Sequence, residues 1–221
     1  MGEGGAVLIN NGRLKKIAES IRDWGRDCYC APGYDNTCGK RWGWTCGQLG
    51  GELPDGYDHK YVYSHLGYNL KITDLQAACG LAQLDRLEEF IAARRANFEY
   101  LHARLSRCAK FLRLPSATLH SEPSWFGFPV TVRPESGIDR AALLAHLDHN
   151  GIATRLFFAG NVTKQPYMAG RTYRVSGTLE QTDNVMHHTF WLGVFPGVGE
   201  AQLDYVATTI ERFVGVEGPR D

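Results

Sequence analysis

The sequence predicts an α/β fold divided into two parts. Its 221 residues are 43% hydrophobic and 22% charged, an ordinary globular composition that suits one large domain or two small ones. Apolar runs typical of strands are interspersed with amphipathic segments of helical period. One helical pattern is much longer than an average helix and breaks near residues 86–89. We place the domain boundary there, which gives residues 1–87 and 88–221.

The first part is predicted to begin with a buried strand and an amphipathic helix. The strand is the apolar run at residues 6–9, which the turn-forming residues 10–12 follow. The helix is expected over residues 13–24 and ends at Gly25. Its apolar face consists of Leu14, Ile17 and Ile21. Because a domain rarely opens on a buried strand, we expect the chain to be the second part of a longer polypeptide.

A long loop occupies residues 25–60 and is dense in Gly, Cys, Tyr, Trp and Asp. A loop of this length in a compact domain is usually functional or disordered, and its many aromatic residues argue against disorder. After the loop, Thr73 and Gln76 have the spacing of a capping box. A helix is therefore expected to start there.

The second part is predicted to combine strands and helices. Strands are expected at residues 111–115, 125–132 and 152–158. Helices are expected at residues 139–149 and 200–214. Pro129 lies inside the second of these strands and indicates an edge strand or a bulge. Together these elements predict an α+β or α/β sandwich.

Charge and hydropathy exclude several classes of partner. Lys plus Arg and Asp plus Glu both number 24, so the net charge is zero, which argues against nucleic acid and anionic membrane as partners. No apolar stretch approaches the roughly 20 residues of a membrane span, and the start lacks the features of a signal peptide. We therefore expect a cytoplasmic protein, whose six cysteines are thiols or metal ligands rather than disulfides.

Three cysteines, Cys28, Cys30 and Cys38, lie close together in the long loop. In extended chain, side chains two residues apart point the same way, so Cys28 and Cys30 can present two thiolates to one centre. Iron–sulfur clusters and many zinc sites use four cysteine thiolates, and Cys46 is a candidate for the fourth. A set of unrelated reduced thiols is the alternative, and the spacing leaves both open.

Two other segments carry candidate ligand-binding residues. Asn69 lies just before the capped helix, where donors suit a phosphate, although a simple turn and cap would have the same sequence. Arg155 lies on a predicted strand that leads to Phe157 and Asn161. Arginine in such a place is suited to a phosphate or a nucleotide, and a surface arginine at a strand end is the alternative.

Four segments, residues 2–7, 22–27, 67–78 and 80–84, resemble the sugar aminotransferases of the DegT/DnrJ/EryC1/StrS family. That family has the fold of aspartate aminotransferase, fold type I. With the cysteine loop and the Trp-Phe-Gly-Phe-Pro segment at residues 125–129, the chain resembles the family's CDP-4-keto-6-deoxyglucose 3-dehydrase branch of lipopolysaccharide biosynthesis. The resemblance implies the end of the large cofactor-binding domain followed by the small C-terminal α+β domain.

The resemblance also implies a chemistry. Such a dehydrase uses pyridoxamine phosphate, related to pyridoxal 5′-phosphate, to remove the 3-hydroxyl of a CDP-linked 4-keto sugar. A 2Fe–2S cluster relays electrons from an NADPH-dependent iron–sulfur flavin reductase, and the enzyme is a homodimer. The residues this assigns are Asn69 for the cofactor phosphate of the neighbouring subunit; Arg155, Phe157 and Asn161 for the substrate; and Cys28, Cys30 and Cys38 for the cluster.

Several functional residues of the family match positions upstream of Met1. These are the catalytic base, the aspartate that pairs with the pyridine nitrogen, the residue that stacks on the cofactor ring and the fourth cluster cysteine. The chain is therefore expected to be a C-terminal half that is inactive alone and has an incomplete set of cluster ligands. Two alternatives stay open: a plain pyridoxal-phosphate-dependent nucleotide-sugar aminotransferase, and a non-catalytic metal-binding module.

Overall fold

The computed structural model describes residues 1–31, 33–37, 39, 41–44 and 51–216. The chain divides into two compact units, Met1–Leu84 and Asp85–Asp221, which we call the N-terminal and C-terminal units. Helices and a sheet are both present, as the sequence predicts. Among the described residues, none of the helices is both long and apolar enough to cross a bilayer.

The described residues of the N-terminal unit form two α-helices, α1 (Gly12–Arg22) and α2 (Asp74–Leu84), and a short 3₁₀ helix at His59–Tyr61. Asn11 caps α1, because its side-chain oxygen accepts hydrogen bonds from the amides of Arg13 and Leu14. The helix ends two residues earlier than predicted. Gly25 follows in the left-handed region, where a Cβ would collide with the carbonyl of His65.

The predicted strand at residues 6–9 is not formed. Val7 is 83% exposed and Leu8 is 95% exposed, and neither is paired with another segment. A strand requires a hydrogen-bonding neighbour, and the described residues of the N-terminal unit provide none for this segment. An apolar run alone was therefore insufficient evidence for a strand.

The predicted capping box and helix break are confirmed. The side chain of Gln76 accepts a hydrogen bond from the amide of Thr73, and the hydroxyl of Thr73 accepts one from the amide of Gln76. The long helical pattern divides into α2 and α3 (Leu87–Leu105), with a turn between them.

The C-terminal unit is a four-stranded antiparallel sheet with helices. Its strands are β1 (Leu112–Arg113), β2 (Phe128–Val132), β3 (Arg155–Leu156) and β4 (Thr189–Leu192). Their spatial order is β1-β2-β4-β3. Besides α3, its helices are α4 (Arg140–His149), α5 (Glu180–His188) and α6 (Glu200–Val214). In the hydrophobic core, side chains of the helices pack against buried residues of the strands. Core residues include Leu101, Leu105, Phe128, Val130, Leu143, Phe190 and Ile210.

Agreement with the predicted elements varies along this unit. α6 has the predicted bounds, whereas the strand predicted at 152–158 shortens to Arg155–Leu156, and α5 and β4 were not predicted. β2 is an interior strand rather than an edge strand. Pro129 is tolerated because β1 pairs only with Thr131 and Val132, so that Pro129 extends beyond the end of β1.

Cys108 is completely buried in the core, and its burial raises the pKa of the thiol to about 11. At pH 8, about one Cys108 thiol in a thousand is then ionised, and the thiolate is the reactive form. We expect a thiol reagent to modify exposed Cys79 in the native protein and Cys108 only after unfolding. Mass spectrometry of labelled peptides checks this, and equal native-state labelling of the two cysteines would contradict it.

Candidate functional site

The cysteine loop brings two of the predicted ligands to one place. Cys28 and Cys30 are half-buried and line the same small cavity of about 10 Å³. The hydroxyl of Thr37 donates a hydrogen bond of 3.2 Å to the Cys30 sulfur. Hydrogen bonds to ligand sulfurs are one means by which proteins tune iron–sulfur clusters. Cys38 and Cys46 lie outside the described residues.

An ion-pair network holds the loop around this cavity. Two nitrogens of the Arg41 guanidinium donate to the Asp58 carboxylate over 2.8–3.0 Å, and Lys60 pairs with Asp35. Arg41 keeps the pKa of Asp58 below its ordinary value, and Lys60 does the same for the pKa of Asp35. The stabilisation is therefore present above the ordinary aspartate pKa and is lost as the pH falls through the lowered values.

His59, near the end of the loop, contacts Asp27, the residue before Cys28. Its Nε2 lies 2.9 Å from the Asp27 carboxylate, and its ring stacks on Trp44 with 5.4 Å between ring centroids. The Asp27 amide in turn donates to the carbonyl of Val62. The 3₁₀ helix that contains His59 thus fixes the backbone on which Cys28 is placed.

The two cysteines also border a larger open cleft of about 480 Å³ along α1. Its cationic lining residues are Lys15, Lys16, Arg22, Arg26 and Lys71. Within the described part of the chain, no group of three or more His, Cys, Asp or Glu side chains is placed to hold a metal ion. The candidate ligand set also includes Cys38 and Cys46, which lie outside that part.

Asn69 lies on a segment that pairs in antiparallel orientation with the residue that follows α1. It forms an isolated bridge with Asp23, and its neighbour Leu70 donates to the carbonyl of Arg22. The side chain is exposed, four residues before the capping residue Thr73. An exposed amide in this position fits the predicted contact with a cofactor phosphate, which stays a prediction.

In the C-terminal unit, Phe157 lies in an aromatic cluster, and Arg155 lies two residues before it in β3. Arg155 is exposed and is paired with Trp191 across β3 and β4. The ring of Phe157 is 5.6 Å from the ring of Trp191. Phe126 and Phe158 also contact Trp191, with ring centroids 5.0 Å and 4.8 Å away. Sequence analysis missed Trp191, Phe126 and Phe158 as a group, because three separate segments contribute them.

Asn161 has structural contacts that the sequence did not predict. It is 2% exposed and donates a 2.7 Å hydrogen bond to Asp183. Its side-chain oxygen accepts from the amide and hydroxyl of Thr163. Lys164 and then Asn161 lower the pKa of Asp183, so the contribution of this carboxylate to stability is lost as the pH falls.

We therefore expect Asn161→Ala to lower the free energy of unfolding by about 1–3 kcal/mol, because it removes the hydrogen bonds that this buried side chain makes to Asp183 and Thr163. Gln181→Ala, which truncates an exposed amide in α5, is the matched control and should change stability little. Denaturant unfolding followed by circular dichroism measures both. Equal stability of the two variants would show that the contacts of Asn161 are dispensable.

Solved structures place the chain in the pyridoxal-phosphate-dependent aminotransferase fold. A GDP-4-keto-6-deoxymannose-3-dehydratase, ColD, with bound GDP-perosamine superposes with a TM-score of 0.72 at 22% identity, over 92% of this chain and 49% of that chain. S. venezuelae DesV, in complex with a ketimine intermediate, gives 0.70 at 18% identity, over 96% and 47%. The shared part is the C-terminal part of the fold.

The sequence identifies the family. A profile of the DegT/DnrJ/EryC1/StrS aminotransferase family matches residues 1–211, and the chain belongs to this family. It is 61% identical to the lipopolysaccharide biosynthesis protein RfbH of Salmonella typhimurium, over 98% of this chain and 48% of RfbH. It is 50% identical to a dTDP-4-dehydro-2,6-dideoxy-D-glucose 3-dehydratase of Saccharopolyspora spinosa, over 96% and 45%. The chain spans about half the length of these relatives.

Proposed function

We propose that this chain is part of a cytoplasmic 3-dehydratase that removes the 3-hydroxyl of a CDP-linked 4-keto-6-deoxy sugar in deoxysugar biosynthesis. The proposed cofactors are pyridoxamine phosphate and a 2Fe–2S cluster. The observation that carries the proposal is the pair Cys28 and Cys30 at one cavity, in a family whose cofactor requires no metal. The identity to a 3-dehydratase and to RfbH supports it.

On this proposal, Asn69 would contact the first cofactor, and Cys28 and Cys30 would contact the second. Pyridoxamine phosphate, when bound, supplies the amine that activates a 4-keto sugar for loss of its 3-hydroxyl. Asn69 offers an exposed amide for the cofactor phosphate, and we propose that it does so across a homodimer interface. Cys28 and Cys30, with Cys38, are the proposed cluster ligands in this chain.

The position of the cysteines also suits electron transfer. Cys28 and Cys30 border the open cleft along α1, so a cluster held there would lie near the surface. We propose an NADPH-dependent iron–sulfur flavin reductase as the electron donor. Thr37 and the Arg41–Asp58 pair would keep the sulfur of Cys30 and the loop in place during reduction.

Anaerobic reconstitution with iron and sulfide tests the proposal, and the material is a protein extended to the length of its relatives, because the chain covers 48% of RfbH and its own set of cluster ligands is expected to be incomplete. We expect bound iron and acid-labile sulfide in equal amounts, and a paramagnetic resonance signal after reduction. Stable binding of zinc in place of the cluster would favour a non-catalytic metal-binding module. An extended protein that retains neither metal would favour the second candidate function, a nucleotide-sugar aminotransferase.

The aminotransferase is supported by the family to which the chain belongs. It differs from the dehydratase in a measurable half-reaction, the transfer of an amino group from glutamate to the cofactor. A protein extended to the length of its relatives is the right material for this assay, because the chain covers 48% of RfbH. Amino transfer without bound iron would replace the dehydratase with the aminotransferase.

A further inference from the structure

The hydroxyl of Thr37 is directed at one of the predicted ligand sulfurs. It donates a hydrogen bond of 3.2 Å to the Cys30 sulfur from seven residues further along the loop. A cysteine that binds a metal is deprotonated, so it would accept this bond as a thiolate with a negative charge. Hydrogen bonds with a charged partner are stronger than those between neutral groups. The contact between Thr37 and Cys30 is therefore expected to strengthen when iron is bound.

The backbone beside Thr37 fixes the direction of its side chain. Asn36 has φ of +55°, in the left-handed region, which asparagine tolerates better than most residues. Its side-chain oxygen accepts a hydrogen bond of 2.9 Å from the amide of Arg41, and its carbonyl accepts one of 2.9 Å from the amide of Gly39. These bonds close a turn around Thr37. Backbone conformations of this kind concentrate at functional sites.

Ion pairs anchor the same turn to the end of the loop. Arg41 pairs with Asp58, and Lys60 pairs with Asp35, which lies two residues before Thr37. Arg41 and Lys60 line the cavity of the two cysteines, and the paired carboxylates offset their charges. A side chain that is already held in place loses little entropy when it binds. The loop thus presents a preorganised, neutral hydroxyl donor to the Cys30 sulfur.

A donor to a ligand sulfur changes the balance between two redox states. In the proposed reaction, the reductase supplies one electron at a time, iron is reduced, and no bond to Thr37 forms or breaks. Each electron makes the ligand sulfurs more negative. A hydrogen bond to one of them therefore stabilises the reduced state more than the oxidised state, and hydrogen bonds to the sulfurs are among the factors that set cluster potentials.

We propose that Thr37 raises the reduction potential of the 2Fe–2S cluster through its hydrogen bond to Cys30. Thr37 is a positioning residue in this role, since it acts through a ligand and does not contact the substrate. The inference rests on the proposed function, because it requires the cluster. It adds a residue that determines how readily the cluster accepts an electron from the reductase.

Redox titration followed by paramagnetic resonance tests the inference in the reconstituted, extended protein. Thr37→Val keeps the branched shape of the side chain and removes the hydroxyl. We expect the ratio of reduced to oxidised cluster at a fixed potential to fall about ten-fold, which for a one-electron couple lowers the midpoint potential by about 59 mV. Iron and sulfide content should stay at the level of the unsubstituted protein, since no ligand is removed.

Two variants are the controls. Thr37→Ser keeps the hydroxyl and should have the potential of the unsubstituted protein. Thr118→Val removes a hydroxyl that bonds to Ser121 rather than to a sulfur, and it should not change the potential.

The outcomes separate this inference from the proposed function. With the cluster present, an unchanged potential in Thr37→Val, or an equally low potential in Thr37→Ser, would overturn the inference alone. Loss of iron from Thr37→Val would also overturn it, because the hydroxyl would then serve cluster retention. Absence of a cluster from the unsubstituted extended protein would overturn the proposed function, and the inference with it.

Discussion

Replacement of Cys28 by serine is expected to abolish retention of the reconstituted iron–sulfur cluster. The serine hydroxyl does not ionise near neutral pH, so it cannot replace the thiolate that iron requires. Cys28 and Cys30 line one cavity, and loss of either sulfur removes one ligand from the same centre. Iron and sulfide content, measured after anaerobic gel filtration, should fall to the background level.

Cys79→Ser is the matched control for this experiment. Cys79 is exposed on α2, away from the cavity of Cys28 and Cys30, so its replacement should leave the iron content unchanged. The two variants should also have the same far-ultraviolet circular dichroism. Full iron retention by Cys28→Ser would remove this residue from the ligand set and would favour Cys46 as the missing ligand.

The second large effect is expected at a buried carboxylate in the C-terminal unit. Glu211 in α6 is completely buried, and Arg104 in α3 pairs with it at 3.2 Å. Arg107 lies 3.6 Å from the other carboxylate oxygen, and Arg104 also pairs with Asp204. Arg104→Met leaves the buried Glu211 without its nearer partner, so we expect a loss of about 3–5 kcal/mol in the free energy of unfolding.

A double variant distinguishes the contribution of the ion pair to stability from the contribution of side-chain packing. Arg104→Met with Glu211→Leu replaces both charges by apolar groups and should recover much of the lost stability, because it leaves no buried carboxylate. Arg212→Met, at an exposed arginine of α6, is the control and should have little effect. Urea unfolding curves of the four proteins provide the measurement. A double variant no more stable than Arg104→Met would show that packing, not the buried charge, is responsible.

Local sequence patterns were sufficient to predict where a helix begins or ends when the helix's own residues determine that boundary. α6 was predicted with its correct bounds because its apolar positions recur at helical spacing, and the structure buries Leu203 and Ile210 from that face. The start of α2 was also predicted, since Thr73 and Gln76 are three residues apart and bond to each other.

The formation of strands depended on contacts between distant segments, which a local sequence pattern does not reveal. The apolar run at residues 6–9 has no pairing partner in the described chain, and its Val7 and Leu8 are exposed. In contrast, β4 was not predicted, although it is paired on both sides. Strand formation requires a neighbour, and the neighbour comes from a distant part of the sequence.

The candidate sites divide in the same way. The sequence alone determined the family. The spacing of Cys28 and Cys30 predicted that both can face one centre, because residues two apart in extended chain share a side, and both line one small cavity. Only the tertiary structure decided that Asn161 is buried against Asp183, and that Phe126, Phe158 and Trp191 form one aromatic cluster. These residues are far apart in the chain, and the insertion of β4 between β2 and β3 brings the aromatic cluster together.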